Sequence, residues 1–233
     1  MPIPKIIFQT SISKQQEYVI DMIKIKAPEW EYRHFTDKDI IKYLIKNPLD
    51  EFPFILNVFQ KMKFGAHKAD LFRYYFLYNE GGVFMDSDAI MEIQLNDIVR
   101  NYDFFSVKSY IEGTVFQGFI GCTPKNQIIY EALKDAYNID IDYLTKNYHL
   151  LTANMYKIIK DGKFQFKYKL YKELESDGEK AKTVNDFAEI ILTHYWKTKI
   201  VPNNLPISSI ILEQYSGLSK PYPEINMKIS FDS

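Results

Sequence analysis

The chain has 233 residues, of which 46% are apolar, with 18 Tyr and 17 Phe. That composition excludes intrinsic disorder and fits one globular domain, residues 1–233. The 29 basic and 30 acidic residues leave a formal net charge of -1, which supplies no long-range attraction to nucleic acid, so no nucleic-acid partner is expected. The lone cysteine, Cys122, cannot form an internal disulfide and reads as a small core residue. The opening Met1-Pro2-Ile3-Pro4-Lys5 is too broken for a signal peptide, and no apolar run approaches the ~20 residues that span a bilayer. A soluble, cytoplasmic protein is expected.

In chain order, the apolar run Ile6-Ile7-Phe8 predicts a short buried strand over residues 5–10. Tyr18, Val19, Met22 and Ile23 recur at helical spacing, and Pro28 closes that segment. Residues 30–35 alternate like a second strand, and Thr36 or Asp37 caps a helix carrying Ile40, Ile41, Leu44 and Ile45. A further amphipathic helix is predicted over 53–62. The strongest helix, over 66–80, puts Ala69, Phe72, Phe76 and Leu77 on one side and ends at Gly81-Gly82. Val83-Phe84-Met85 is a short strand. Strands follow over 103–107 and 115–121, then helices led by Asn126 and over 150–159. Residues 173–182 read as an exposed polar loop or turn, and 187–193 as a strand running into His194-Tyr195-Trp196. The proline-bearing tail from Lys197 reads as irregular structure with a short helix or two. The alternation of strands and helices predicts an α/β fold with a mostly parallel central sheet flanked by helices.

Three Asp-x-Asp triplets occur: Asp37/Asp39, Asp86/Asp88 and Asp140/Asp142. The first opens a helix, where acids are expected for capping, and the third lies in a polar stretch with no strand before it. Only Asp86-Ser87-Asp88 leaves a buried strand after a glycine-stopped helix, at the kind of strand end where ligands of open α/β sheets gather. Two carboxylates there can approach one hard cation, Mg²⁺ or Mn²⁺; the bland alternative is a solvated turn. Asp70 and Arg73 share a helix face. They read either as a surface ion pair or as a clamp on sugar, ribose and phosphate oxygens.

The run from Lys68 through Asp70, Arg73, Gly81-Gly82 and Asp86-Ser87-Asp88 resembles the signature of the DXD-containing sugar transferases of glycosyltransferase family 32, which are distantly similar to clostridial glucosylating toxins. The residues 3–10, 28–37 and 116–121 resemble the family more loosely. The resemblance is firm over roughly residues 1–125 and thin afterwards. It implies a GT-A type, Rossmann-like fold, with residues 1–125 forming the donor-binding half and 126–233 the acceptor side and the end of the metal site. Carried over by residue, Asp70, Arg73, Asp86 and Asp88 would be catalytic. Asp86 would bind ribose or metal-bound water, Asp88 would ligate Mn²⁺ or Mg²⁺ directly, and His194 would complete the metal set; the alternative for His194 is a core or surface histidine. The nucleotide sugar, UDP-linked by preference and GDP-linked as the second choice, would contact Phe8, Gln9, Thr10, Lys68, Gly82, Ser87 and Trp196 as well. Phe8 and Ser11 depart from the family, which often has His and Trp there; Trp30 or a nearby tyrosine is the substitute for the missing base-stacking ring.

The implied reaction is transfer of a hexose to a hydroxyl of a glycan or lipid-linked acceptor, with retention, in bacterial polysaccharide or lipopolysaccharide synthesis. A lipid-linked acceptor would bring the protein to the inner face of the membrane. The alternatives are a toxin-like protein glycosyltransferase, a DxD phosphohydrolase with Asp86 as nucleophile, and a non-catalytic nucleotide-sugar-binding subunit.

Overall fold

The computed structural model describes residues 2–15, 17–178 and 180–195. The first strand, β1 (Ile6–Thr10), is followed by α1 (Glu17–Lys26), β2 (Glu31–Phe35), α2 (Asp37–Lys46), α3 (Ile55–Lys61), α4 (Gly65–Glu80) and β3 (Gly82–Met85). Then come β4 (Ala89–Met91), α5 (Leu95–Val99), β5 (Phe104–Lys108), β6 (Val115–Cys122), α6 (Gln127–Asn138), α7 (Ile141–Lys146) and α8 (Leu150–Asp161). A late meander, β7 (Tyr168–Glu173), β8 (Lys180–Val184) and β9 (Ile190–Tyr195), closes the described chain.

All nine strands join one sheet in the order β2-β1-β3-β6-β5-β7-β8-β9-β4. Pairing is parallel for β1–β2, β1–β3 and β5–β7, and antiparallel elsewhere. Six strands, β1, β2, β3, β5, β7 and β9, therefore run in one direction, with β6, β8 and β4 against them. Their carboxyl ends all open on the same edge of the sheet.

Alternation along the central strands sends side chains to two cores. Phe8 and Phe84 pack on one face with α4 and α6; Ile7, Val83 and Met85 pack on the other with α1 and α5. Helix α4 is expected to be amphipathic, yet 12 of its residues are buried. It lies between the sheet and an outer helical layer that includes α6, so both of its sides are covered. It ends where Gly81 and Gly82 take φ of 71° and 102°, conformations that L side chains rarely adopt. A Cβ on Gly81 would stand 2.8 Å from the Cys122 carbonyl oxygen, so the helix-to-strand reversal requires glycine. Cys122 is buried, as its sequence context predicts.

Several expectations need correction. The exposed loop or turn expected over 173–182 is present but shorter, because β7 ends at Glu173 and β8 begins at Lys180, so both ends of the range belong to strands. The late strand starts at Ile190 rather than 187; Phe187 is 80% exposed and Ala188 turns at φ 59°. Helices α5 and α7 and strands β4 and β7 carry too little periodicity to be seen in the sequence. The first and third Asp-x-Asp triplets serve helix starts. Asp39 accepts from the Thr36 amide and hydroxyl, Asp140 caps α7 through the Tyr143 amide, and Asp142 pairs with Lys63. The tail and Trp196 lie outside the described residues. Among the described residues no helix is long and apolar enough to cross a membrane.

Phe8 is fully buried, with its ring centroid 4.2 Å from that of Phe76 and 5.2 Å from that of Phe84. Phe8→Ala should cost about 3–5 kcal/mol of folding stability, read by urea denaturation; a loss below about 1 kcal/mol would contradict this packing.

Candidate active site

The carboxyl ends of the co-directional strands deliver Thr10, Asp86, Ser109, Glu173 and His194 to one cavity of about 370 Å³. Asp86-Ser87-Asp88 forms the tight connection from β3 to β4. The Asp86 amide donates to the Gly118 carbonyl at 2.7 Å, and its own carbonyl accepts from the Ala89 amide at 3.2 Å. Gln9 braces this turn from below, donating to the Asp86 carbonyl at 3.1 Å while its side-chain oxygen accepts from Tyr32 and Gln15.

His194 comes from the far end of the chain. Strand β9 pairs with β4 so that His194 stands opposite Ala89, one residue past Asp88. The Tyr195 amide donates to the Asp88 carbonyl at 3.0 Å. His194 Nε2 thereby lies 3.4 Å from Asp88 Oδ2, and the ring rests on Phe116 at 4.4 Å. One ligand atom each from Asp86, Asp88 and His194 falls within 4.8 Å of the others. Two carboxylates and an imidazole at that spacing suit a divalent cation of the Mn²⁺ or Mg²⁺ type.

Arg73 sits behind the carboxylates and is buried. Each of its nitrogens has a protein partner: Nε donates to the Ala69 carbonyl, Nη1 to the Gln117 carbonyl at 2.6 Å, and Nη2 lies 3.3 Å from Asp86 and 3.4 Å from Asp70. Its guanidinium also lies 4.1 Å from the Phe84 ring centroid. The Asp70–Arg73 pair is thus no surface ion pair, and the guanidinium braces two carboxylates instead of reaching freely into the cavity.

Burial raises Asp86 to about 6; Arg73 opposes the shift and Asp88 adds to it. Burial likewise raises Asp70 against the pull of Arg73. At His194 burial disfavours the charged ring, but the neighbouring carboxylates, Asp88 foremost, outweigh it and raise the pKa.

Of the residues singled out in the sequence, Thr10, Asp70, Arg73, Asp86, Ser87, Asp88 and His194 meet at this cavity. Others stand around it. Phe8 is core, Gln9 lies under the turn, Gly82 begins β3, and Lys68 pairs with Asp37 at 3.6 Å over the Phe59 ring. Ser11 is buried, its hydroxyl donating to the Ser13 carbonyl and meeting His34. Trp30 packs in the opposite core and donates to Asn96, so it supplies no stacking ring; Tyr110 and Tyr148 do line the cavity. Sequence reasoning missed Glu173, Tyr148 and His149, which sit on a strand and a helix connection without a distinctive pattern. Gly118, seen only as part of a lining strand, proves a requirement of the site: a Cβ there would stand 2.1 Å from Asp86 Oδ2.

Residues 13–105 match the family described as the glycosyltransferase sugar-binding region containing a DXD motif. The chain is 24% identical over 151 residues to inositol phosphoceramide mannosyltransferase 1 of Schizosaccharomyces pombe, a match covering 62% of this chain and 46% of the relative. It is 26% identical over 155 residues to mannosyl phosphorylinositol ceramide synthase SUR1 of Saccharomyces cerevisiae, covering 61% and 38%, and 31% identical over 120 residues to the uncharacterized glycosyltransferase L373 of a mimivirus, covering 50% and 41%. The matched stretch spans less than half the length of these relatives. Among solved structures the chain is similar to the PaToxG glycosyltransferase, at a TM-score of 0.45 and 14% identity over 69% of this chain and 70% of that one. The matched sugar-binding region contains Asp70, Arg73 and the Asp86/Asp88 pair but stops before Gly118, Glu173 and His194.

Burial raises Asp86 to about 6 and, against the effect of burial, the neighbouring carboxylates raise His194, so protons compete with a cation for two of its ligands as the pH falls. Mn²⁺ affinity should therefore fall about tenfold or more per pH unit below 6, measured by electron paramagnetic resonance of free Mn²⁺; a flat profile between about pH 5 and 7.5 would contradict it. Gly118→Ala should weaken the same affinity by displacing Asp86, and unchanged binding would show that the turn relaxes freely.

Proposed function

We propose that the protein transfers a hexose from a UDP- or GDP-sugar to a hydroxyl of a glycan or lipid-linked acceptor, with Asp86, Asp88 and His194 holding a divalent cation. The observation that carries this reading is the convergence of those three side chains, from β3–β4 and β9, beside Asp70 and Arg73 in one cavity. When bound, the cation supplies Lewis-acid stabilisation of the departing diphosphate.

The chain's own groups have separable roles. Asp86, Asp88 and His194 present oxygen and nitrogen lone pairs toward one point. Arg73 keeps Asp86 and Asp70 in place and offsets part of their mutual repulsion. Asp70, whose Oδ1 faces Arg73, has its other oxygen for sugar hydroxyls. Thr10, at the end of β1, stands on the nucleotide side of the same wall. Retention at the anomeric carbon follows from the resemblance to family 32 alone. The names of the yeast relatives make mannosyl donors and inositol-containing lipids the first to try, and bacterial polysaccharide or lipopolysaccharide acceptors the second. Transfer to a lipid-linked acceptor would take place at a membrane surface.

The test is nucleotide release from a panel of UDP- and GDP-hexoses with and without Mn²⁺. The wild type should hydrolyse at least one donor in a Mn²⁺-dependent manner. Asp88→Ala should lower that rate about 100-fold or more while retaining a cooperative thermal transition. Undiminished hydrolysis in the variant would remove the cation assignment, and no hydrolysis or transfer with any donor would remove the transferase reading.

A further inference from the structure

A second polar group lines the cavity, near enough to His194 for the two charges to act on each other. Strands β5 and β7 are parallel neighbours, with Lys108 beside Lys172, so Ser109 and Glu173 emerge together at their carboxyl ends. Glu173 is only 4% exposed. Its Oε2 accepts from the Ser109 hydroxyl at 2.6 Å and the Tyr110 amide at 3.3 Å. Among the described residues no hydrogen bond reaches Oε1, which is open to the cavity, and the His194 ring is the cationic neighbour that acts on the carboxylate through space.

The surroundings indicate which donor. The two bonds to Glu173 pin the start of the β5–β6 turn. That turn is closed by the Ser109 amide on the Thr114 carbonyl and by the Thr114 hydroxyl on the Ile111 carbonyl. It presents Tyr110 and Ile111 at the cavity, each 39% exposed. From the α7–α8 connection Tyr148, also 39% exposed, reaches the same cavity, backed by the His67 ring at 5.3 Å. Half-exposed aromatic and aliphatic surface around one carboxylate oxygen open to the cavity is the complement of a pyranose, which has an apolar ring face and hydroxyls at its edge. Asp70, Asp86 and Asp88 line the same cavity, so an anionic group beside Glu173 would be repelled.

We infer that Glu173, with Tyr110 and Ile111 beside it, forms the acceptor subsite, and that it takes a neutral sugar ring whose hydroxyl donates to Glu173 Oε1. The inference rests on the transferase reading above and adds the class of acceptor to it. Glu173 binds and orients; no bond is made or broken at it.

The discriminating variant is Glu173→Gln, which retains a carbonyl oxygen for Ser109 and Tyr110 but replaces the accepting Oε1 with a donor. With the best donor and methyl α-mannopyranoside, methyl β-glucopyranoside and methyl β-galactopyranoside as acceptors, KM for the glycoside should rise about tenfold or more, and KM for the nucleotide sugar should move far less. Hexose 6-phosphates should be poorer acceptors than the neutral glycosides. Equal glycoside KM in both proteins, or both KM values rising in parallel, would overturn the assignment. If the wild type turns over no donor, the failure belongs to the transferase reading, and saturation-transfer NMR of the same glycosides with Mg²⁺ still tests the subsite. A signal in the wild type that is lost in Glu173→Gln supports it, whereas no signal in the wild type, or an equal signal in both, overturns it.

Discussion

The arrangement depends on one buried guanidinium. Arg73 reaches from the middle of α4 to the sheet, donates to the backbone of β6, and stands between Asp70 and Asp86. Without it, two carboxylates would share a poorly solvated space and the turn after β3 would lose its charge balance. Its length and planarity matter, because the three nitrogens address four different partners and the guanidinium lies over Phe84. Burial of α4 on both sides has the same origin: the helix that carries this arginine must lie directly on the sheet.

Strand direction explains why the cavity is where it is. The co-directional strands end on one side of the sheet, and the residues at those ends contribute Thr10, Asp86, Ser109, Glu173 and His194 to the cavity. The opposing strand β6 then supplies what those ends lack. Its carbonyl groups at Gln117 and Gly118 receive Arg73 and the Asp86 amide, and the missing side chain at Gly118 leaves room for the Asp86 carboxylate.

Much of this was legible in the sequence, for identifiable reasons. Gly81-Gly82 after a long apolar helix can hardly be anything but a helix stop, and Val83-Phe84-Met85 must be buried, so the position of Asp86 and Asp88 at a strand end followed. A helix start explained the first Asp-x-Asp triplet, whereas the third showed itself as a helix start only in the structure, where Asp140 caps α7. What escaped was set by tertiary partners. The segment Tyr168–Glu173 is two-thirds lysine and tyrosine, and only pairing with β5 makes it a strand and buries Glu173. Tyr148 and His149 occupy a connection whose meaning comes from α4 lying beneath it. Likewise, Phe8 and Thr10 share one face of β1, and only position along the strand separates them: Phe8 lies against α4 in the core, whereas Thr10, at the carboxyl end, meets the cavity.

The β4–β9 pairing has a further consequence for how the chain holds together. Asp88 and His194 belong to segments far apart in sequence, joined along the far edge of the sheet by a short ladder. A cation shared between them is a cross-link closing a very long loop, and such links act most strongly on the unfolded chain, whose freedom they curtail. The ion would then serve as a clasp between the early and late portions of the polypeptide, so that donor loading and integrity of the late meander rise and fall as a single event.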